Sequence, residues 1–118
     1  MSYWGYHLLL DCAGCNDNIK SRESIYNFVK ELVKEIDMVA HGEPIIEYML
    51  PDDPKAGYSL FQLITTSNIS AHFVEPDNTA YFDVFSCKEF DQTIVERIVA
   101  KYFAPENVRK MFLTRHAG

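Results

Sequence analysis

Two stretches of the chain carry apolar residues at helical spacing. In residues 23–36 and about 91–103 they recur every three or four positions, while charged residues occupy the other side. The apolar positions are Ile25, Phe28, Val29, Leu32, Val33 and Ile36 in the first stretch and Ile94, Val95, Ile98, Val99 and Tyr102 in the second. Ser21 and Asp91 are suitable N-caps, and 41–42 is a suitable stop region for the first stretch. The pattern predicts two amphipathic helices.

Six shorter stretches have the apolar content and the turn-rich boundaries that are typical of strands. They cover residues 4–12, 43–50, 57–66, 69–74, 80–87 and 108–115. The resulting order, β-α-β-β-β-β-α-β, predicts an α+β fold: a two-layer α/β sandwich with an antiparallel-rich sheet and both helices on one face. The other face of such a sheet needs cover. In a chain that is 14% aromatic, a homodimer is the cover we expect.

Length and charge restrict the function classes. A chain of 118 residues can bury one core, so we expect a single domain over 1–118. Its net charge of -6 makes it a poor partner for nucleic acids and a better one for cationic small molecules. No apolar run approaches the length of a membrane span, and the opening MSYWGYHLLL has no basic leader. We therefore expect a cytoplasmic protein without a membrane partner.

The three cysteines do not indicate a disulfide framework, because their number is odd. Cys12 and Cys15 have the spacing of a redox CxxC motif, but that motif should open a helix after a strand. A zinc site would need a second cysteine pair, so we expect no metal. A strand end that turns at Gly14 is the better interpretation of this segment.

The stretch TTSNISAHF, residues 65–73, places hydroxyl residues where a buried strand prefers β-branched and aromatic ones. Ser67 lies at a break between two predicted strands, and His72 and the face that ends at Cys87 belong to strands that can pair as a hairpin. A hydroxyl, an imidazole and a thiol could therefore converge, as nucleophilic or proton-transfer catalysis requires.

Less specific interpretations of the same residues remain open. A Ser–His pair without an acid or oxyanion partner is weak support for a serine hydrolase. Cys87 taken alone is more typical of a small core residue. His7, His41 and His116 have no spacing that indicates a ligand set. The residues alone therefore predict a site without specifying its reaction.

The same residues carry a resemblance to a known family. The run Ser67-Asn-Ile-Ser-Ala-His72, followed by Tyr81-Phe-Asp-Val-Phe-Ser-Cys87, resembles the short prokaryotic S-adenosylmethionine decarboxylases, with matching intervals from serine to histidine to cysteine. The opening strand with Gly14-Cys15 and the segment Gly57-Tyr-Ser59 are also similar to that family.

This resemblance implies a self-processing enzyme. The chain would break between Thr66 and Ser67, giving a β subunit of residues 1–66 and an α subunit of residues 67–118. Ser67 would become a pyruvoyl group that forms a Schiff base with the substrate amine. His72 would assist processing, and Cys87 would be the proton donor. Decarboxylation of S-adenosylmethionine would give the aminopropyl donor for spermidine synthesis. The enzyme would be a homodimer with its site near the interface.

The chain also departs from the family pattern. Thr66 and Asn68 stand where Glu and His are usual around the serine, and 74–76 differs from the usual Trp-Pro-Glu. The positions that suggest substrate binding are Ser59, Phe61, Tyr48 and Glu75. Two alternatives follow from these differences: a pyruvoyl-dependent decarboxylase of ornithine or arginine, and a non-cleaving relative that binds a ligand or a partner.

Overall fold

A computed structural model describes residues 3–118 of the chain. Within that range the elements, in order, are β1 (Gly5–Ala13), a 3₁₀ helix (Asp17–Lys20), α1 (Arg22–Glu35), β2 (Ile45–Met49), β3 (Gly57–Ile64), β4 (Ser67–Val74), β5 (Thr79–Ser86), α2 (Gln92–Phe103) and β6 (Asn107–Arg115). The predicted order is confirmed, and the 3₁₀ helix is an addition to it. None of the helices in these residues is long and apolar enough to cross a membrane.

The strands of the described region form one antiparallel sheet in the order β2-β3-β4-β5-β1-β6. The predicted α+β sandwich is therefore confirmed. The first strand of the chain lies between β5 and β6, while β4 lies between β3 and β5. This arrangement places the TTSNISAHF stretch in the interior of the sheet, with a hydrogen-bonded neighbour on each side.

One face of the sheet packs against both helices. Four phenylalanines join the two layers, with ring centroids 5.0 to 5.7 Å apart in their closest pairs. They are Phe28 of α1, Phe73 of β4, Phe82 of β5 and Phe103 of α2. Burial of each such side chain contributes roughly 1.5–3 kcal/mol. This aromatic cluster fixes the helices against the strands that carry the candidate site.

The predicted N-caps and the predicted helical range 23–36 are confirmed, whereas the predicted stop region at 41–42 lies beyond the end of α1. Ser21 Oγ accepts a hydrogen bond from the backbone N–H of Ser24 at 3.1 Å, and Asp91 caps α2 in the same way. The first helix ends at Glu35, well before residues 41–42, in a Schellman motif. Asp37 supplies the left-handed residue (φ 58°), a conformation that aspartate tolerates better than most residues.

The second face of the sheet carries no helix and is rich in exposed apolar side chains. Seven large hydrophobic residues on it are 39 to 59% exposed: Ile45, Met49, Phe61, Leu63, Tyr81, Met111 and Leu113. Along β3 and β5 their positions alternate with those of buried residues. The pairing of β6 with β1 puts Met111 and Leu113 on the same face. We call this surface the open face. Exposed apolar side chains gathered on one face are typical of an interaction site.

Candidate active site

The backbone at Ser67 has an unusual conformation. The strand β3 ends at Ile64 and β4 begins at Ser67, so Thr65 and Thr66 alone form the turn between them. Ser67 takes a φ of 154°, in a region that residues with a side chain rarely adopt. Such a conformation costs on the order of 1–3 kcal/mol and persists only where the surroundings impose it. The bond between Thr66 and Ser67 is therefore held under strain.

The carbonyl of that bond is held by a backbone donor. The register pairs Ser67 with Ser86, and the next residue, Cys87, donates its N–H to the oxygen of Thr66 at 2.9 Å. A donor in this place polarises the carbonyl and stabilises negative charge that develops on its oxygen during a nucleophilic attack.

The Ser67 hydroxyl is itself oriented by its neighbour. Asn68 Nδ2 donates a hydrogen bond to Ser67 Oγ at 3.1 Å. An amide donor fixes the direction of the hydroxyl oxygen without removing its proton. The residue that stands where the family usually has histidine thus contacts the proposed nucleophile directly.

His72 is paired with Ser59 at the other end of β4. The two residues are directly opposite in the β3–β4 register, and Ser59 Oγ lies 3.1 Å from His72 Nδ1. Gly57 allows the two strands to approach, because an added Cβ would overlap the carbonyl oxygen of Phe73. A hydroxyl at this nitrogen fixes the orientation of the imidazole ring on the open face. The expected contact of His72 with the following strand is confirmed, since it pairs with Tyr81.

One chain does not bring all three catalytic candidates together. Ser67 and Cys87 are neighbours across the β4–β5 hairpin. His72, however, is five residues from Ser67 along the same extended strand, which corresponds to roughly 16 Å. The candidate site in one chain therefore has two halves. We call Ser67 and Cys87 the cleavage half, because the resemblance implies cleavage there, and Ser59 and His72 the imidazole half.

The substrate-binding candidates are divided between the two sides of the sheet. Phe61 lies with Ser59 and His72 in an open-face cavity of about 350 Å³. Tyr48 is on the same side of β2 as the buried Ile46, and its hydroxyl donates to Glu75 Oε1 at 3.0 Å. This hydrogen bond raises the pKa of Tyr48. The structure thus pairs Tyr48 with Glu75 but does not place them beside His72.

A second open-face cavity lies near the cleavage half. It has a volume of about 370 Å³ and is lined by Trp4, Phe85, Arg115, His116 and Ala117. The guanidinium carbon of Arg115 lies 4.9 Å from the Phe85 ring centroid. No local sequence pattern marks these residues, because they come from β5 and from both ends of the chain and meet only through the pairing of β1 with β5 and β6. The aromatic side chains of Trp4 and Phe85 were the only signal.

The CxxC segment is part of the core. Cys12 and Cys15 are buried, and burial raises their pKa values to about 12 and about 11. Both side chains are therefore thiols at neutral pH, which disfavours redox reactivity or metal binding through a thiolate. Across residues 3–118, no cluster of three or more histidine, cysteine or acidic side chains has an arrangement suited to a metal ion.

The fold of the chain is similar to that of a protein of known structure. The structure of the adenosylmethionine decarboxylase from Aquifex aeolicus VF5 superposes with a TM-score of 0.82 at 22% identity, over 100% of this chain and 95% of that one. At this level of identity the similarity establishes the fold.

Sequence comparisons establish the family. The family model described as S-adenosylmethionine decarboxylase matches residues 6–116. The S-adenosylmethionine decarboxylase proenzyme of Clostridium botulinum (strain Hall) is 30% identical over 90 residues, which are 75% of this chain and 73% of the relative. The proenzyme of the Loch Maree strain matches to the same extent. The chain belongs to the S-adenosylmethionine decarboxylase family.

Proposed function

We propose that the chain is a pyruvoyl-dependent decarboxylase of S-adenosylmethionine that forms its cofactor by breaking the bond between Thr66 and Ser67. The observation that carries this proposal is the geometry of that bond. Ser67 has a φ of 154°, and the Thr66 carbonyl accepts a hydrogen bond from Cys87. Family membership supports the choice of substrate.

Self-cleavage uses groups of the chain itself. Ser67 Oγ attacks the Thr66 carbonyl carbon, and the Cys87 N–H stabilises the oxygen on which charge develops. Expulsion of the amide nitrogen leaves an ester, and the strain at Ser67 is relieved. Removal of the Ser67 Cα proton then expels Thr66 as a carboxylic acid. Water replaces the remaining imine nitrogen, which leaves as ammonia, and residue 67 becomes a pyruvoyl group.

The base for the elimination comes from a second copy of the chain. His72 of the same chain is too far from Ser67, as the length of β4 shows. Consider a dimer in which two open faces pack together and the two-fold axis lies between them, perpendicular to the middle of β4. In such a dimer β4 of one copy lies over β4 of the other and runs in the opposite direction. The imidazole half of one copy then lies over the cleavage half of the other. Two complete sites result, as isologous symmetry requires.

The open face supports this assembly independently. Its seven exposed hydrophobic residues spread from β2 to β6, so that face-to-face contact would remove them from water together. The same contact would join the cavity near His72 to the cavity near Trp4 of the partner. The aromatic rings of Phe61, Trp4 and Phe85 would then line one enclosed space for a nucleoside.

Decarboxylation requires an electron sink, which a pyruvoyl carbonyl supplies once the substrate amine is attached. The chain contributes the enclosure that excludes water and the donor that completes the reaction. Cys87 is exposed next to residue 67 and delivers its thiol proton to the carbon that loses the carboxylate. The product is decarboxylated S-adenosylmethionine, an aminopropyl donor for spermidine synthesis.

The experiment is a substrate comparison with the purified protein. Release of labelled CO₂ from carboxyl-labelled S-adenosylmethionine, ornithine and arginine is measured, with Ser67→Ala as the blank. We expect turnover of S-adenosylmethionine alone. Turnover of ornithine or arginine instead would contradict the substrate assignment and retain the chemistry, whereas no turnover of any of them would favour a non-catalytic relative.

A further inference from the structure

The side chain of Thr66 is enclosed in a small network of hydroxyl contacts. Ser86, which is fully buried, donates its hydroxyl proton to Thr66 Oγ1 at 2.7 Å. Ser86 Oγ in turn accepts the backbone N–H of Lys88 at 3.0 Å. The Thr66 hydroxyl points its own proton to the sulfur of Met38 at 3.3 Å. The residue before the strained bond is thus fixed through its side chain as well as its carbonyl.

The backbone before Thr66 is tied to a segment that the end of β5 also contacts. Thr65 donates its N–H to the carbonyl of Val39 at 2.9 Å, in the segment that follows α1. Lys88 Nζ joins that segment to the end of β5, with contacts of 2.6 Å to Asp37 O and 3.0 Å to Asp37 Oδ2. The turn is held between residues 37–39 and residues 86–88.

We infer that Ser86 is a positioning residue for self-cleavage and acts on the scissile bond through the Thr66 hydroxyl. This inference rests on the proposed function. Ser86 Oγ donates to the Thr66 side chain, whereas the reacting carbonyl is held by the N–H of Cys87. The two bonds reach Thr66 from consecutive residues of one strand end. Together they fix the side-chain rotamer and the carbonyl direction of the same residue.

The need for two anchors follows from the strain at Ser67. A φ of 154° persists only when its neighbours remove the freedom to relax, and a two-residue turn without glycine has little other means of doing so. A buried hydroxyl is expensive to leave unpaired, so Ser86 and Thr66 each hold the other in place. The side chain of Thr66 is thereby used to keep its carbonyl against the Cys87 donor.

This role ends when the chain breaks. After cleavage Thr66 is the last residue of the 1–66 fragment, and its carbonyl carbon belongs to a free carboxylate. The Ser86 hydroxyl therefore affects the rate at which the precursor is cleaved and leaves the turnover of cleaved enzyme unchanged. A residue needed only for the fold would reduce the two rates together.

The test follows cleavage of newly translated protein in a cell-free system by denaturing mass spectrometry over time. Loss of one hydrogen bond predicts that Ser86→Ala and Thr66→Val each slow cleavage roughly three- to tenfold. Because the two hydroxyls act through each other, the double variant should be no slower than the slower single variant. Thr66→Ser, which retains the hydroxyl, should restore the rate. Turnover per cleaved chain should equal that of the unaltered protein in every case.

A matched control is available at the other end of β4. Thr79 pairs with Val74, and within residues 3–118 its buried hydroxyl oxygen has no hydrogen-bond partner, so Thr79→Val should leave cleavage unchanged. The inference is overturned if the unaltered protein cleaves and both Ser86→Ala and Thr66→Val cleave as fast as the unaltered protein does. It is also overturned if the two substitutions are additive or if turnover falls in proportion to cleavage. Absence of cleavage in the unaltered protein would overturn the proposed function as well, which distinguishes the two failures.

Discussion

Ser59 Oγ lies 3.1 Å from His72 Nδ1, and this oriented pair is at the opposite end of β4 from Ser67. An imidazole with one nitrogen held by a hydroxyl is prepared for proton transfer at the other nitrogen. At this position the imidazole of His72 cannot reach the bond between Thr66 and Ser67 of its own chain. We propose that this pair and the strained serine of a second copy form one site across a dimer.

Exchange of defective chains tests this arrangement. In a dimer of Ser67→Ala with His72→Ala, one site carries both defects and the other carries neither. We therefore expect the His72→Ala chain to remain whole alone and to be cleaved when it is co-expressed with Ser67→Ala. Mass spectrometry of the denatured mixture identifies which chain is broken. A His72→Ala chain that is cleaved alone, or that is never cleaved, would contradict the exchange of residues between copies.

The open face should control both assembly and cleavage. Met111 and Val108 lie on the same strand and are each 45% exposed, but they point to opposite faces of the sheet. Met111→Glu places a charge in the proposed interface, so we expect more monomer and slower cleavage. Val108→Glu is the matched control and should behave as the unaltered protein in light scattering and in the cleavage assay. Equal behaviour of the two variants would show that the dimer does not use this face.

Cys87 should be needed for turnover more than for cleavage. Its backbone N–H, which contacts Thr66, is retained in Cys87→Ala, whereas the thiol is lost. We expect this variant to cleave and to lose about 10²-fold or more in kcat, in line with the loss of a general acid. Deuterium incorporation into the product provides a second measurement. Normal turnover by Cys87→Ala would remove the cysteine from the donor role.

The ion pair between the helices makes stability dependent on pH. Lys101 Nζ lies 2.8 Å from Glu31 Oε2, and this contact, together with the Tyr102 hydroxyl, lowers the pKa of Glu31 below 4.5. The carboxylate therefore stabilises the fold fully above pH 4.5, and its contribution is lost as the pH falls through the depressed pKa of the folded state. The same pair raises the pKa of Lys101 above 10.5, so its contribution is fully present below pH 10.5 and is lost as the pH rises through the raised pKa of the folded state.

Thermal melts of Glu31→Gln measure this contribution. The substitution should lower Tm by a few degrees at most near neutral pH, because the pair is partly exposed. The difference should disappear under acid conditions. Lys101→Gln should have the same effect at neutral pH, and the double variant should add little to either. A difference in Tm that persists at low pH would contradict the role of the ion pair.

Local patterns in the sequence were sufficient for the helices and strands. The 3.6-residue spacing in α1 and α2 reflects burial against one sheet, and Ser21 and Asp91 have short side chains that cap a helix directly. The proximity of Ser67 and Cys87 could also be predicted, since the short connection between Val74 and Thr79 makes β4 and β5 a hairpin. When two strands that are consecutive in the sequence pair with each other, the short connection between them is enough to predict the pairing.

Features that depend on distant contacts could not be predicted in this way. The number of residues between Ser67 and His72 does not by itself give their distance in space. Five residues span a much longer distance in a strand, as here, than in a helix. Sequence gave no indication that Ser86 is buried beneath Thr66, since serine is common at strand ends. The turn formed by Thr65 and Thr66 lacks the glycine or asparagine that usually marks a hairpin, and the positive φ is at Ser67 instead.

The intact mass of freshly purified protein under denaturing conditions shows whether the bond between Thr66 and Ser67 breaks. We expect two species, residues 1–66 and residues 67–118 with a pyruvoyl group at the first position. The sum of their masses should equal the mass of the precursor plus one water minus one ammonia. Ser67→Ala should give a single full-length species. A single full-length species from the unaltered protein, unchanged after long incubation, would contradict self-cleavage and with it the pyruvoyl mechanism.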